Sequence, residues 1–156
     1  MKLCRVSQLS ALILTMWFNL AYGKANLNNL DTSGFILKGY DPVSYFQSTQ
    51  PQKGLPQFKT TYQGATYLFS SNSNKMKFLK NPNKYIPLFG GWCAYAVADS
   101  KSKVDIDPKS FLIQDGKLLV FYNGLWADTR KKWLKDPNSF LKNAEQNWPA
   151  VQNKEP

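Results

Sequence analysis

Two stretches of the chain carry the pattern of tight hairpins, and they constrain the fold more than anything else in it. Phe58-Lys59-Thr60-Thr61-Tyr62 and Ala65-Thr66-Tyr67-Leu68-Phe69 are short runs of β-branched and aromatic residues joined through Gln63-Gly64. Phe111-Leu112-Ile113 and Lys117-Leu118-Leu119-Val120-Phe121-Tyr122 are joined in the same way through Asp115-Gly116. A pair ending in Gly between such runs supplies the positive φ that a tight reversal needs. Around them lie helix signals. Ser70-Ser71-Asn72-Ser73 offers N-caps for a helix from Asn74 to Leu79, and Asn81-Pro82 starts a shorter one carrying Tyr85 and Ile86, which Pro87 ends. From Leu125 to Trp148 the pattern is helical with a break at Asp136-Pro137. Trp126, Trp133, Leu134, Phe140, Leu141, Ala144 and Trp148 are available to pack. Phe35 to Tyr40 reads as a short strand, Asp41-Pro42 and Asp107-Pro108 as helix starts, and Asn123-Gly124 as the close of the last strand. The fold class is therefore α+β: a small single domain with short antiparallel hairpins and packed helices.

The ends frame that domain. Lys2 and Arg5 precede a mostly apolar run from Leu9 to Leu20, and Ala21-Tyr22-Gly23 has small residues at its first and third places, so residues 1–23 read as a secretory signal peptide. A run of about 12 apolar residues is short for a span that needs roughly 20. The expected product is exported, periplasmic or secreted, with no stable membrane span once the peptide is cleaved. Residues 24–34 are polar and Asn-rich and read as a flexible lead, residues 35–150 as the domain with its C-terminal helices, and residues 151–156 as a tail.

Charge and residue absences narrow the chemistry. Cleavage removes Lys2 and Arg5 and no acid from a chain of 20 basic and 10 acidic residues, leaving a net charge of +8. The lysines are scattered, the one tight basic run is Arg130-Lys131-Lys132, and Arg130 is the sole arginine after residue 23. That distribution does not suit a nucleic-acid reader. Histidine is absent, which excludes His-ligated haem, His-containing zinc sites and Ser-His-Asp or Cys-His catalysis within the chain. No nucleotide-binding glycine pattern is present. With no acid-base constellation either, an enzyme is the least supported class.

One stretch concentrates what remains. Gly90-Gly91-Trp92-Cys93-Ala94-Tyr95 holds the only cysteine outside the leader, since Cys4 departs with the signal peptide. If a helix starts near Trp92, unpaired N–H groups around the thiol favour the thiolate. With no second cysteine, any redox cycle needs an outside thiol. The alternative is a small buried hydrophobe beneath Trp92 and Tyr95, and Gly90-Gly91 then serves a tight turn or close packing. A soft metal ion of the copper(I) type is a candidate cofactor at Cys93. Asp105 and Asp107, spaced to share a strand face, form a weaker candidate for a hard cation, although Asp107 also suits a cap before Pro108. Aromatic walls beside Cys93 would also suit a small-molecule cleft.

Asp41-Pro42-Val43, the hairpin from Tyr62 through Gly64 and Tyr67 to Phe69, and Phe78-Leu79-Lys80-Asn81-Pro82-Asn83-Lys84-Tyr85 together resemble the YHS-domain family over residues 36–97. Gly90-Gly91-Trp92-Cys93-Ala94-Tyr95 and the Asp107 to Leu118 segment resemble an exported subgroup of YHS domain-containing (seleno)proteins. The resemblance implies that some relatives carry selenocysteine in the segment around Cys93. It also implies that metal-binding members place cysteines where this chain has Ser44, Ser70 and Asn74. Three neutral side chains do not replace thiolates at a soft-metal site. The function expected is an exported accessory or binding module, with Cys93, Trp92, Tyr95, Gly90 and Gly91 as the candidate site for a small molecule, metal ion or protein partner. The alternative is a thiol-redox or soft-metal protein acting through Cys93 and an external partner.

Overall fold

The structure is a computed structural model that describes residues 27–125 and 127–156. The expected signal peptide and Trp126 lie outside the described residues. Among the described residues, three two-stranded antiparallel ribbons and five α-helices follow one another along the chain, which is the α+β class that the sequence implies.

β1 (Leu55–Tyr62) pairs with β2 (Ala65–Phe69), with Tyr62 opposite Ala65 and Thr60 opposite Tyr67. Gln63 (φ 47°) and Gly64 (φ 77°) turn the chain, both left-handed as a two-residue reversal requires. α1 (Asn72–Lys80) begins where the Ser71 hydroxyl accepts from the Asn74 N–H, and α2 (Pro82–Tyr85) starts on its proline. Phe78 of α1 is fully buried against the hairpin, its ring 4.7 Å from Tyr67 and 5.2 Å from Phe69. Large aromatics at these distances contribute packing beyond simple burial.

A distorted 3-10 turn (Leu88–Gly91) leads into α3 (Ala94–Asp99). β3 (Asp107–Gln114) and β4 (Lys117–Phe121) form the second hairpin, turning at Asp115-Gly116. A short ribbon follows, β5 (Asn123–Gly124) with β6 (Ala127–Asp128), then α4 (Thr129–Trp133) and α5 (Pro137–Val151). The break at Asp136-Pro137 lies where the sequence puts it, because the Asp136 carboxylate accepts from the Ser139 N–H and Pro137 occupies the first helical position. α5 packs along α3, and the Asn147 amide donates to the Val97 and Ala98 carbonyls at 3.1 and 3.0 Å. Those α3 carbonyls would otherwise lack a helical partner.

Several local expectations change. Phe35 to Tyr40 is not a strand. It holds a single turn of 3-10 helix (Leu37–Gly39) flanked by isolated bridges, because Leu37, Lys38 and Gly39 all have positive φ. Asp107-Pro108 opens a strand rather than a helix, with the Asp107 carboxylate accepting from the Lys109 N–H. The segment before Thr129 is a ribbon instead of helix. Leu134 is half exposed, whereas Trp133 and Ala144 are fully buried. The described part of the lead, from Leu27, is pinned along the domain: the Asn29 N–H donates to the Gly90 carbonyl at 2.8 Å, and Leu30 bridges Ile36.

The buried side chains fall into two clusters. The first joins Ile36, Val43, Tyr67, Phe69 and Phe78 to one face of the second hairpin through Leu118 and Val120. The second joins Leu119 and Phe121 from the other face to Trp133, Ala144 and Val151 of the C-terminal helices. The alternation of side chains along β4 thus serves both cores at once.

Candidate functional site

The stretch from Phe89 to Ala98 lies on the seam between these clusters. Cys93 and Ala96 belong to the first, while Phe89, Ala94, Val97 and Ala98 belong to the second. The approach of the N-terminal segment dictates Gly90. Gly90 has φ +60°, and a Cβ there would overlap the Leu27 carbonyl oxygen. Gly91 has φ +78°, and its carbonyl accepts from the Asn29 side-chain amide at 3.2 Å. The clash and the positive φ admit only glycine at Gly90, and the positive φ favours it at Gly91. Trp92, nearly buried, donates its indole N–H to the Leu27 carbonyl at 3.2 Å, and the Lys103 ammonium stands 5.6 Å from its ring. The close-packing alternative for Gly90-Gly91 accounts for all of this.

Cys93 is completely buried. It does not lie in a helical first turn, as the reactive-thiol reading requires. Cys93 precedes α3 as its cap residue, with its N–H given to the Val104 carbonyl. Its sulfur accepts from the Tyr122 N–H at 3.3 Å and lies 3.4 Å from the Thr129 hydroxyl. Thr129 already donates its one proton to the Tyr122 carbonyl at 2.7 Å, so the thiol hydrogen is the one left for the Cys93–Thr129 contact. The arrangement encloses the thiol between Tyr122, the residue after β4, and Thr129 at the start of α4. Tyr95, by contrast, is half-buried, its ring 5.2 Å from Phe140 and 5.5 Å from the Lys132 ammonium. Partial burial, with Asp99 nearby, raises its phenol pKa.

The two aspartates take separate partners. Asp105 pairs with Lys38 and accepts from the Asn29 amide and the Ile106 N–H. These bonds outweigh its partial burial and hold its carboxyl below the usual range. Asp107 accepts from the Lys109 N–H and the Asn123 amide. Among the described residues, no three His, Cys, Asp or Glu side chains come together as a metal cage.

A second buried polar centre has little signal in the sequence beyond its capping role. The Asp41 carboxylate, fully buried, accepts from the Val43 N–H at 2.8 Å through one oxygen. Its other oxygen accepts from the Ser70 N–H at 2.9 Å, the Ser70 hydroxyl at 2.7 Å and the Asn74 amide at 2.7 Å. Ser44 donates to the Asp41 carbonyl and accepts from the Gln52 N–H. The three positions where metal-binding relatives are expected to hold cysteine thus gather at this aspartate. All three are already committed as partners of Asp41 or its backbone. They do not fit a soft metal, whose ligands are thiolates and imidazoles. They fit a buried carboxylate that needs donors. The signal that could have led there is the Asp41-Pro42-Val43 resemblance, read for what surrounds it rather than for a cap alone.

A cleft opens on the seam at Phe89-Gly90 rather than at Cys93. It has a volume of about 420 Å³. Tyr67, Ile86, Phe89 and Trp148 line it together with the polar Asn28, Gln63, Asn83 and Lys117. Phe89 and Trp148 pack edge to face at 5.7 Å, so α5 contributes one wall. Tyr67 is nearly buried, and that burial pushes its phenol pKa well above the ordinary value.

No curated protein and no solved structure matches the chain. The family match is narrower than the resemblance over residues 36–97 and ends one residue before Phe89. Residues 44–88 match the family model described as YHS domain.

Proposed function

We propose that the chain is an exported, non-enzymatic binding module whose ligand occupies the cleft at the seam of its two cores. The observation that carries this reading is the contrast along one stretch. Cys93 is sealed, while Phe89-Gly90, four and three residues earlier, opens onto a cleft of about 420 Å³. That volume, walled by aromatic side chains and by the polar Asn28, Gln63, Asn83 and Lys117, is in the range of a small-molecule site. Tyr67, Phe89 and Trp148 would take an apolar or planar body, and Lys117 and Asn83 at the polar side would take an anionic or hydrogen-bond-accepting end. Export rests on the pattern of residues 1–23, and recovery of a chain beginning at Lys24 from the exported fraction of a bacterial host would support it.

The binding reading is tested by ligand-observed NMR with a panel of small aromatic carboxylates. Asn83→Trp places an indole in the cleft from an exposed helix position. Binding that disappears in Asn83→Trp and weakens in Lys117→Glu is the expected outcome. Binding unaffected by both, or no binding across the panel, would overturn it.

A further inference from the structure

We infer that the exposed face of α1 is a docking surface for an anionic lipid bilayer. Between Asp41 and Asp99 the sequence has no acidic residue and six lysines, Lys53, Lys59, Lys75, Lys77, Lys80 and Lys84. Four of them lie on α1 and α2. Neither ion pair found among the described residues involves these lysines, so their charge is not offset locally. Asn74 and Phe78 of α1 point into the domain, and at 3.6 residues per turn Met76 stands on the opposite side.

Met76 is 57% exposed and Leu79 46% exposed. Both border a shallow groove with Ser73, Lys77 and Lys80. Large apolar side chains raised between lysines, on a helix whose inner face is already packed, match the chemistry of an interfacial contact: cations meet headgroup phosphates while the apolar groups enter the acyl boundary. The cations are lysines on flexible stems with no buried polar partner shaping a pocket. Such groups act as point charges on a diffuse negative surface and lack the planar fork that gripping one defined phosphate favours. The same surface lies within the matched YHS domain and does not overlap the lining of the Phe89-Gly90 cleft.

The test is co-flotation of the protein, in its exported form, with vesicles of phosphatidylcholine alone or mixed equally with phosphatidylglycerol. Comparing variants within one chain cancels any contribution from its N-terminus. Capture by the anionic vesicles alone, weakened by salt, is expected. Lys77→Glu with Lys80→Glu should weaken it about tenfold or more. Met76→Ser with Leu79→Ser should weaken it by a smaller factor, about threefold, while leaving the salt dependence in place. Lys131→Glu with Lys132→Glu makes the same change in net charge elsewhere and should leave binding within about twofold. All six positions are exposed, and unchanged thermal unfolding confirms the fold. Equal loss with the Lys131/Lys132 pair would reduce the effect to net charge and overturn the assignment. So would capture by neutral vesicles, or binding to polyglutamate without binding to vesicles.

Discussion

Asp41 and Cys93 are both completely buried polar points in the same domain, yet they organise their surroundings in different ways. Asp41 gathers four donors from three separate segments, so that two turns and a helix are positioned by one carboxylate. Cys93 makes only weak contacts, to the Tyr122 N–H and the Thr129 hydroxyl, and otherwise serves as a small apolar filler between α3 and β4. The rarity of Cys93 in the sequence draws attention to it, and Asp41 looks like an ordinary cap. The structure reverses their importance. Rarity marks a residue type, whereas the energetic weight of a buried group follows from the number and charge of the partners it satisfies.

The largest expected effect comes from breaking the Asp41 side of that contrast. Asp41→Ala leaves the donors of Val43, Ser70 and Asn74 buried without their acceptor and should cost about 3–5 kcal/mol, read from urea unfolding. A cost close to that of Cys93→Ala would remove the asymmetry. Gly90→Ala comes next. It forces a Cβ against the Leu27 carbonyl at a positive φ and should cost about 1–3 kcal/mol, with faster amide exchange at Asn29 as the segment lifts. Cys93→Ala removes a small buried group and weak hydrogen bonds, and about 1–2 kcal/mol is expected.

A smaller signature lies in alkali. Burial, followed by the neighbouring Tyr40, Asp107 and Asp41, raises the Tyr45 phenol, and burial followed by Tyr62 raises Tyr67. A phenol whose folded pKa exceeds its unfolded value contributes stability that is present below about pH 10 and is lost as pH rises beyond it. Tyrosinate absorbance should therefore appear in two stages, the second coinciding with unfolding. A single stage complete in the folded protein would contradict the burial of these two rings. The smallest effect belongs to Lys38→Met. Its partner Asp105 is exposed, so the loss should stay within about 1 kcal/mol. Because the Asp105 carboxyl is held low, the contribution should fade as pH falls through the acid range.

These contrasts also show what was legible beforehand. The reversals at Gln63-Gly64 and Asp115-Gly116 and the Asp136-Pro137 break are local chemistry, each where the sequence places it, and the Ser71 cap is one of the four candidates in its run, starting α1 at Asn72 rather than Asn74. The YHS resemblance is likewise legible from the Tyr62 to Phe69 hairpin and the Phe78 to Tyr85 segment, which fall inside the matched residues 44–88, whereas Asp41-Pro42-Val43 lies just before them. The Phe35 to Tyr40 segment misleads because its apolar run looks like a strand. The left-handed turn at Leu37 and Lys38 depends on distant partners: the Lys53 ammonium on the Lys38 carbonyl and Asp105 on the Lys38 side chain. The Asp41 centre depends on residues 29 and 33 positions away. The enclosure of Cys93 depends on Tyr122 and Thr129, and the cleft on Trp148 of the last helix, which no local pattern around Gly90 could place.

The central claim is that the Phe89 to Ala98 stretch is a structural seam with a sealed thiol, and thiol titration tests it most directly. In a chain that begins at Lys24, and so without Cys4, a chromogenic disulfide reagent reports on Cys93 alone. The folded protein should not react, and one full equivalent should react once the chain is unfolded in guanidinium. Prompt reaction of one equivalent under native conditions would contradict it and return Cys93 to the role of an accessible nucleophile.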